Sequence, residues 1–343
     1  MKNSGNGMSR RDFLRQAAVG TVAAAGMASG AGLAAGGGPA GPDSVKAVWD
    51  LRKAYKETTP TRERICVNGL WRWQPASGGT DAVPTSGWGY FKVPGCWPGI
   101  TDYMQVESQT LYPDSSWRNQ DLGAVTTAWY QREITIPREW AGRRIALYGE
   151  YLNSYATVYI DGKKAGETRF PAGEVDLTSF CQPGGRHVLS LAVVAMPLKA
   201  VMLSYSDTAS AKEVKGSVER RGLCGDVYLV STPMDARITD VKVDTSVRRS
   251  EIAVEAALAG LAAGAGYALR ARITENGAAA HEFTSARFTA ADLKAGRIPF
   301  TEKWKPDKLW DTYTPQNTYD LSLSLLNAAG KDLDITSPVR FGF

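Results

Sequence analysis

From Pro60 onward the chain runs in short stretches that alternate apolar and polar residues, broken by Gly, Pro, Asn and Asp. Alternation with a period of two sends one side chain into a core and the next into water, the pattern of a half-buried β-strand. WYQREITIP (residues 129–137), RRIALYGEY (143–151) and HVLSLAVVA (187–195) all read this way. YATVYIDGKKAGE (155–167) reads as two strands around Asp161-Gly162, a dipeptide suited to a two-residue hairpin turn. GDVYLVS (225–231) is a further strand. Before Pro60, Val45, Val48, Leu51 and Tyr55 stand at helical spacing, with Asp43 or Ser44 as N-cap, which predicts a short lead-in helix. Many short strands with few helices predict an all-β sandwich or barrel.

Near Pro233 the rhythm restarts, and Ile238, Val241 and Val243 open a new strand. SEIAVEAALAG (250–260), YALRARITENG (267–277), RIPFTEKW (297–304), YDLSLSLLNAAGKDL (319–333) and SPVRFGF (337–343) follow. Their number and spacing suit an immunoglobulin-like sandwich. The expected organisation is a leader and linker over residues 1–40, a first sandwich over 41–232 and a second over 233–343.

A content of 43% hydrophobic and 22% charged residues supports sizeable cores. The net charge of +5 is mild and the basic residues are scattered, so no nucleic-acid partner is expected. The start is more specific. SRRDFLR (9–15) carries the twin arginines Arg10 and Arg11 with Phe13 and Leu14, and an uncharged Ala/Gly stretch follows. This resembles a twin-arginine export signal, which implies a periplasmic or extracellular protein; the plainer alternative is a disordered basic N-terminus. The apolar run is too rich in Gly and Ala for a transmembrane helix, so no membrane association of the mature form is expected. The four cysteines, Cys66, Cys96, Cys181 and Cys224, contain no C-x-x-C pair and no zinc signature. They allow three disulfide pairings, and four buried thiols are an equal alternative.

Several stretches, in order, resemble one family. NGLWRWQP (68–75) resembles the first-strand motif of the sugar-binding domain of glycoside hydrolase family 2, the family of β-galactosidases, β-glucuronidases and β-mannosidases. VPGCWP (93–98) is similar to its V-P-G-S-W element, and residues 128–166 to its central block. EVDLTSFCQPGGRHVLSLAV (174–193) and RRGLCGDVYLV (220–230) resemble the segments that close that domain. KLWDTYTPQNTYDLSL (308–323) with VRFGF resembles the end of its immunoglobulin-like domain. Cys224 and Gly225 depart from the family's usual Trp and Arg, residues 198–218 diverge, and 105–120 read as an added loop.

The resemblance implies an all-β chain: a galactose-binding-like jelly-roll sandwich followed by an immunoglobulin-like sandwich. It implies retaining hydrolysis of β-glycosides without an organic cofactor. That chemistry needs two carboxyl groups about 5–5.5 Å apart, which the family carries on a barrel beyond the R-F-G-F-R seam. No position here matches a family catalytic residue, so no catalytic residue is assigned and the chain alone is expected to be inactive. The expected partners are a β-glycoside or polysaccharide and the missing C-terminal catalytic barrel. A non-catalytic carbohydrate-binding or adaptor protein is the alternative, and a sandwich without a sugar site a weaker one.

Sugar sites pair an aromatic platform with a few polar groups that fix hydroxyls. The candidates are Trp97 in PGCWPG, Tyr112 and Trp117 in LYPDSSWRN, Asp114 and Arg118 beside them, and Glu219 and Arg220 before the closing strand. Trp71, Trp73, Trp129, Tyr130, Tyr148 and Tyr159 lie on strand patterns and read as core. His187, at a strand start, reads as structural and His281 as a solvated surface residue, so neither a nucleophile–His site nor a metal site is expected.

Overall fold

A computed structural model describes residues 47–76, 78–97, 111–195 and 221–343, and the backbone of 199–205 and 211–217. Arg10, Arg11, Glu219 and Arg220 lie outside the described residues.

The first sandwich opens with β1 (Lys56–Thr58), β2 (Glu63–Cys66), β3 (Gly69–Pro75), β4 (Gly89–Val93) and β5 (Leu111–Tyr112). It continues through β6 (Thr127–Thr135), β7 (Arg143–Gly149), β8 (Leu152–Asn153), β9 (Tyr155–Ile160), β10 (Lys163–Arg169), β11 (Gly173–Asp176) and β12 (Arg186–Val194). A hairpin of β13 (Lys199–Tyr205) and β14 (Ala211–Ser217) precedes β15 (Gly222–Leu223) and β16 (Val227–Pro233). One sheet has the order β1-β2-β16-β7-β11, the other β10-β9-β12-β6-β3-β4-β5. Chain neighbours such as β6 and β7 fall in different sheets, the crossing pattern of a jelly roll. The inward set of each alternation meets in one core: Ile65, Ile145, Leu147 and Leu229 from one sheet, Trp71, Trp73, Tyr130, Ile134, Val158 and Leu191 from the other. Tyr130 meets the rings of Trp71 and Trp73 edge-on. Burying each large ring contributes about 3 kcal/mol.

The second sandwich comprises β17 (Arg237–Ser246), β18 (Glu251–Ala259), β19 (Tyr267–Glu275), β20 (Ala278–Thr284), β21 (Arg297–Lys303), β22 (Tyr319–Asn327), β23 (Asp332–Ile335) and β24 (Val339–Phe341). Its sheets are β17-β18-β21 and β20-β19-β22-β23, with β24 also against β22. Ile252, Val254, Ala256 and Leu258 of β18 face Leu269, Ala271, Ile273, Leu321, Leu323 and Leu325 of the other sheet.

The described part of the lead-in segment is a turn, not the expected helix. Lys53 and Ala54 donate their backbone N–H groups to Asp50 O at 3.0 and 3.1 Å. Trp49, Leu51 and Ala54 all pack on the first core, and spacings of two and three residues cannot share one helical stripe. Val48 and Tyr55, which the helical reading would bury, are exposed. Trp49 Nε1 donates to Cys66 O at 3.0 Å and Cys66 N to Tyr55 O at 2.9 Å, which holds the segment along β2.

Candidate functional site

Two of the three aromatics chosen from the sequence, Trp97 and Trp117, are turned inward. Trp97 is 0% exposed, and its indole N–H donates to the Tyr130 hydroxyl. Trp117 is 7% exposed, meets Trp73 edge-on at 5.4 Å and donates from Nε1 to Gly87 O at 2.8 Å. Its ring lies over Gly89, where a Cβ would sit 2.5 Å from Cζ2, so only glycine admits this approach. Neither Trp offers a ring face to a ligand in this arrangement, because each completes the end of the core. Asp114 Oδ1 accepts from Ser116 N at 2.8 Å and Ser116 Oγ at 2.7 Å, and these donors hold its carboxyl below the usual range. It orders the turn that inserts Trp117. Arg118 is exposed beside it. Tyr112 is half-buried on β5, directly opposite Tyr90.

Tyr112 leads to a surface that was not singled out from the sequence. Directly opposed residues on neighbouring strands share a face. The register places Tyr112, Tyr90, Arg72, Gln131, Ser190 and Tyr159 in one row across β5, β4, β3, β6, β12 and β9. This row lies on the outer face of the seven-stranded sheet, since Trp71, Trp73 and Tyr130 alternate into the core. Arg72 Nη1 donates to Gln131 Oε1 at 3.0 Å, and Gln131 Nε2 to Ser190 Oγ at 3.2 Å. Part of this face is covered: Trp129, Tyr159 and Ala192 pack under Ala76, Val83 and Trp88, and the Tyr159 hydroxyl donates to Thr80 O. Trp129 and Tyr159 are thus buried as expected, but beneath a loop and outside the main core.

The uncovered part forms a cleft of about 310 Å³ lined by Leu70, Arg72, Tyr90, Gln131, Glu133 and Arg186, with Val48 and Trp49 from the lead-in segment. It combines the rings of Tyr90 and Trp49, an amide fixed by hydrogen bonds, and three guanidinium groups, of Arg72, Arg186 and the largely buried Arg132, against one carboxylate. That set can stack on a sugar ring and pair with an anionic substituent. In the sequence the only trace is the polar residue after each core aromatic: Arg72 after Trp71, Gln131 after Tyr130.

The histidines are engaged structurally. His187 Nδ1 lies 2.7 Å from Asp161 Oδ2, and Nε2 accepts from Gln182 N at 3.0 Å. An accepting Nε2 assigns the proton to Nδ1, so no lone pair remains to serve as a general base. Burial alone would raise the Asp161 carboxyl, but the N–H of Val188 and the His187 ring outweigh it and hold it low. His281 is a correction. It is half-buried and stacked on Trp304, with centroids 5.1 Å apart and planes within 4°. Among the described residues no group of three His, Cys, Asp or Glu gathers to hold a metal ion.

No protein-family model and no curated protein sequence matches the chain. Solved structures do. The β-glucuronidase of Bifidobacterium dentium, solved with coumarin-3-O-glucuronide, is 20% identical with a TM-score of 0.61, over 84% of this chain and 49% of that one. The β-D-glucuronidase of Dictyoglomus thermophilum is 17% identical with a TM-score of 0.54, over 84% and 45%. The β-glucuronidase of Ruminococcus gnavus, solved with D-glucuronic acid, is 16% identical with a TM-score of 0.56, over 84% and 47%. The chain thus spans about half the length of these enzymes. At such identity the likeness is one of fold: a jelly-roll sandwich followed by an immunoglobulin-like sandwich, the fold of the N-terminal domains of family 2 β-glucuronidases.

Proposed function

We propose that this chain is the non-catalytic N-terminal portion of an exported family 2 glycoside hydrolase, supporting substrate binding and a catalytic barrel carried elsewhere in the protein. The supporting observation is coverage: 84% of the chain aligns with 49% of a β-glucuronidase. The twin arginines Arg10 and Arg11 support export. Leu309, Trp310 and Tyr313 supply an exposed apolar patch on the second sandwich, with Tyr313 at 92%. Trp310 N donates to Phe343 O at 2.8 Å, so the patch adjoins the residues that resemble the family seam. A patch of this kind suits packing against a further module.

The ligand class we assign to the outer-face cleft is a uronic acid or uronate-bearing glycan. Arg72 and Arg186 would meet the carboxylate, Tyr90 the ring and Gln131 a hydroxyl. Purified protein of residues 1–343 is expected to leave aryl β-glucuronides unhydrolysed and to bind glucuronate in a calorimetric titration. Arg72→Ala and Tyr90→Ala should each weaken that binding about tenfold, or 1.4 kcal/mol. Turnover by this chain would overturn its non-catalytic role, and undiminished binding by both variants would remove the cleft as the site. The coding sequence beyond Phe343 tests the barrel: a reading frame with two strand-end glutamates supports it, and a stop codon leaves the second reading. That reading is a stand-alone carbohydrate-binding protein, favoured by the cleft itself.

A further inference from the structure

Among the four cysteines, the fold brings two together. Cys96 Sγ and Cys224 Sγ lie 3.4 Å apart, although 128 residues separate them in the chain. The approach is set by backbone on both sides. Gly95 N donates to Leu223 O at 2.9 Å and Trp97 N to Arg221 O at 3.0 Å, so residues 95–97 run antiparallel against 221–223. Gly222 makes this contact possible: a Cβ there would sit 2.3 Å from Trp97 Nε1 and 2.5 Å from the Tyr130 hydroxyl. Cys224 N is held in turn by Tyr151 O at 3.0 Å. Both cysteines are half-buried, within reach of an oxidant. The other two differ. Cys181 is buried, and burial pushes its thiol up to about 12, so it forms almost no thiolate at neutral pH. Cys66 sits on β2 opposite Tyr228.

We propose that Cys96 and Cys224 are joined by a disulfide in the exported protein, fastening the turn that carries Trp97 to the segment between β15 and β16. The oxidant is a disulfide of the export compartment, either a small molecule or a dithiol oxidoreductase. One cysteine, as thiolate, attacks a sulfur of that disulfide, forming a mixed disulfide and expelling the first oxidant thiolate. The second cysteine, having lost its proton to solvent, attacks the protein-bound sulfur and expels the other. Two protein thiols are oxidised by two electrons in all, and one oxidant disulfide is reduced to two thiols.

The pairing rests on geometry, whereas its formation in the cell rests on the export reading, and the test separates them. The purified, reduced chain of residues 1–343 is incubated with oxidised glutathione, unfolded in alkylating agent and digested with trypsin. The expected product is peptide 93–118 linked to peptide 222–237, with an intact mass lower by about 2 Da and label on Cys66 and Cys181. Reduction should lower the melting temperature of the oxidised protein by about 5–10 °C and leave that of Cys224→Ser unchanged. Label on both Cys96 and Cys224, or either one linked elsewhere, overturns the pairing. Cys96→Ser and Cys224→Ser, checked for folding by circular dichroism, must each abolish the linked peptide. If the link forms with glutathione but protein collected outside the cytoplasm carries both thiols reduced, the pairing stands and its use in the cell is overturned.

Discussion

Asp334→Ala is expected to cost about 3–5 kcal/mol of stability, the loss typical of a broken buried ion pair. Asp334, on β23 of the second sandwich, is 0% exposed. Its Oδ1 accepts from Arg62 Nε at 2.7 Å and Thr61 Oγ1 at 3.0 Å, and its Oδ2 from Ile238 N at 2.7 Å and from Arg62 Nη2. Thr61 and Arg62 belong to the turn between β1 and β2 of the first sandwich, and Ile238 to β17 of the second. One carboxylate therefore ties together three segments from two sandwiches. Thr61 adds a further link by accepting from Ile335 N at 2.7 Å. With Asp334 gone, the largely buried Arg62 guanidinium loses its counter-charge and Ile238 N its acceptor. The check is the urea midpoint of the first unfolding transition. Asp334→Asn keeps an acceptor but loses the charge, and should fall between wild type and Asp334→Ala. Arg62→Ala combined with Asp334→Ala should cost less than the two single losses summed, because each removes the same contact. A loss below about 1 kcal/mol for Asp334→Ala would mean that this pair does not hold the seam.

The elements were more legible than their neighbours. The alternation over residues 129–137, 143–151 and 187–195 became β6, β7 and β12. Asp161-Gly162 forms the expected turn, with φ of 50° and 79°. Alternation fixes which side chains share a face of one strand, but not which strands adjoin. The row through Tyr90, Arg72 and Gln131 depends on β4, β3 and β6 lying side by side, and no local pattern encodes that order. Trp117 misled for the same reason: its loop looked like a binding loop, while Gly89, the residue that admits its ring, is on another strand. The lead-in helix failed because a period of 3.6 over a few apolar residues is weak beside the pull of one core on Trp49, Leu51 and Ala54. The cysteine pair was likewise undecidable from spacing, since the fold alone brings Cys96 to Cys224.

Arg132→Met is expected to cost about 3–5 kcal/mol, although it replaces a charge with an apolar chain of similar length in a core. On β6 the alternation sends Ala128, Tyr130 and Ile134 inward, and Arg132 lies on the same side, 5% exposed and over the ring of Trp71 at 5.3 Å. Its guanidinium donates to Val67 O, to Asn68 O at 2.6 Å and to Leu70 O at 2.7 Å. These carbonyls flank Gly69, whose φ of +119° bends the chain into β3. Burial pushes Arg132 down to about 10, still far above neutral pH, so the group stays charged and all its N–H donors remain. Three carbonyls lose a donor, at up to about 1–3 kcal/mol each, although Val67 O keeps the Trp71 indole N–H at 2.9 Å; burying a thioether offsets part of the loss. Arg132→Lys separates the explanations. It keeps the charge but not the planar fork, and should lose about 2–3 kcal/mol. Wild-type stability in the Lys variant would mean that charge alone suffices; wild-type stability in the Met variant would mean that the carbonyls need no partner from the chain. The effect should also reach the outer face. Arg132 fixes the start of β3, and Arg72 projects from the same strand into the cleft. Arg132 also borders the cleft itself, so under conditions where Arg132→Met remains folded its glucuronate affinity should fall with Arg72 untouched, through the lost charge as well as the loosened start of β3.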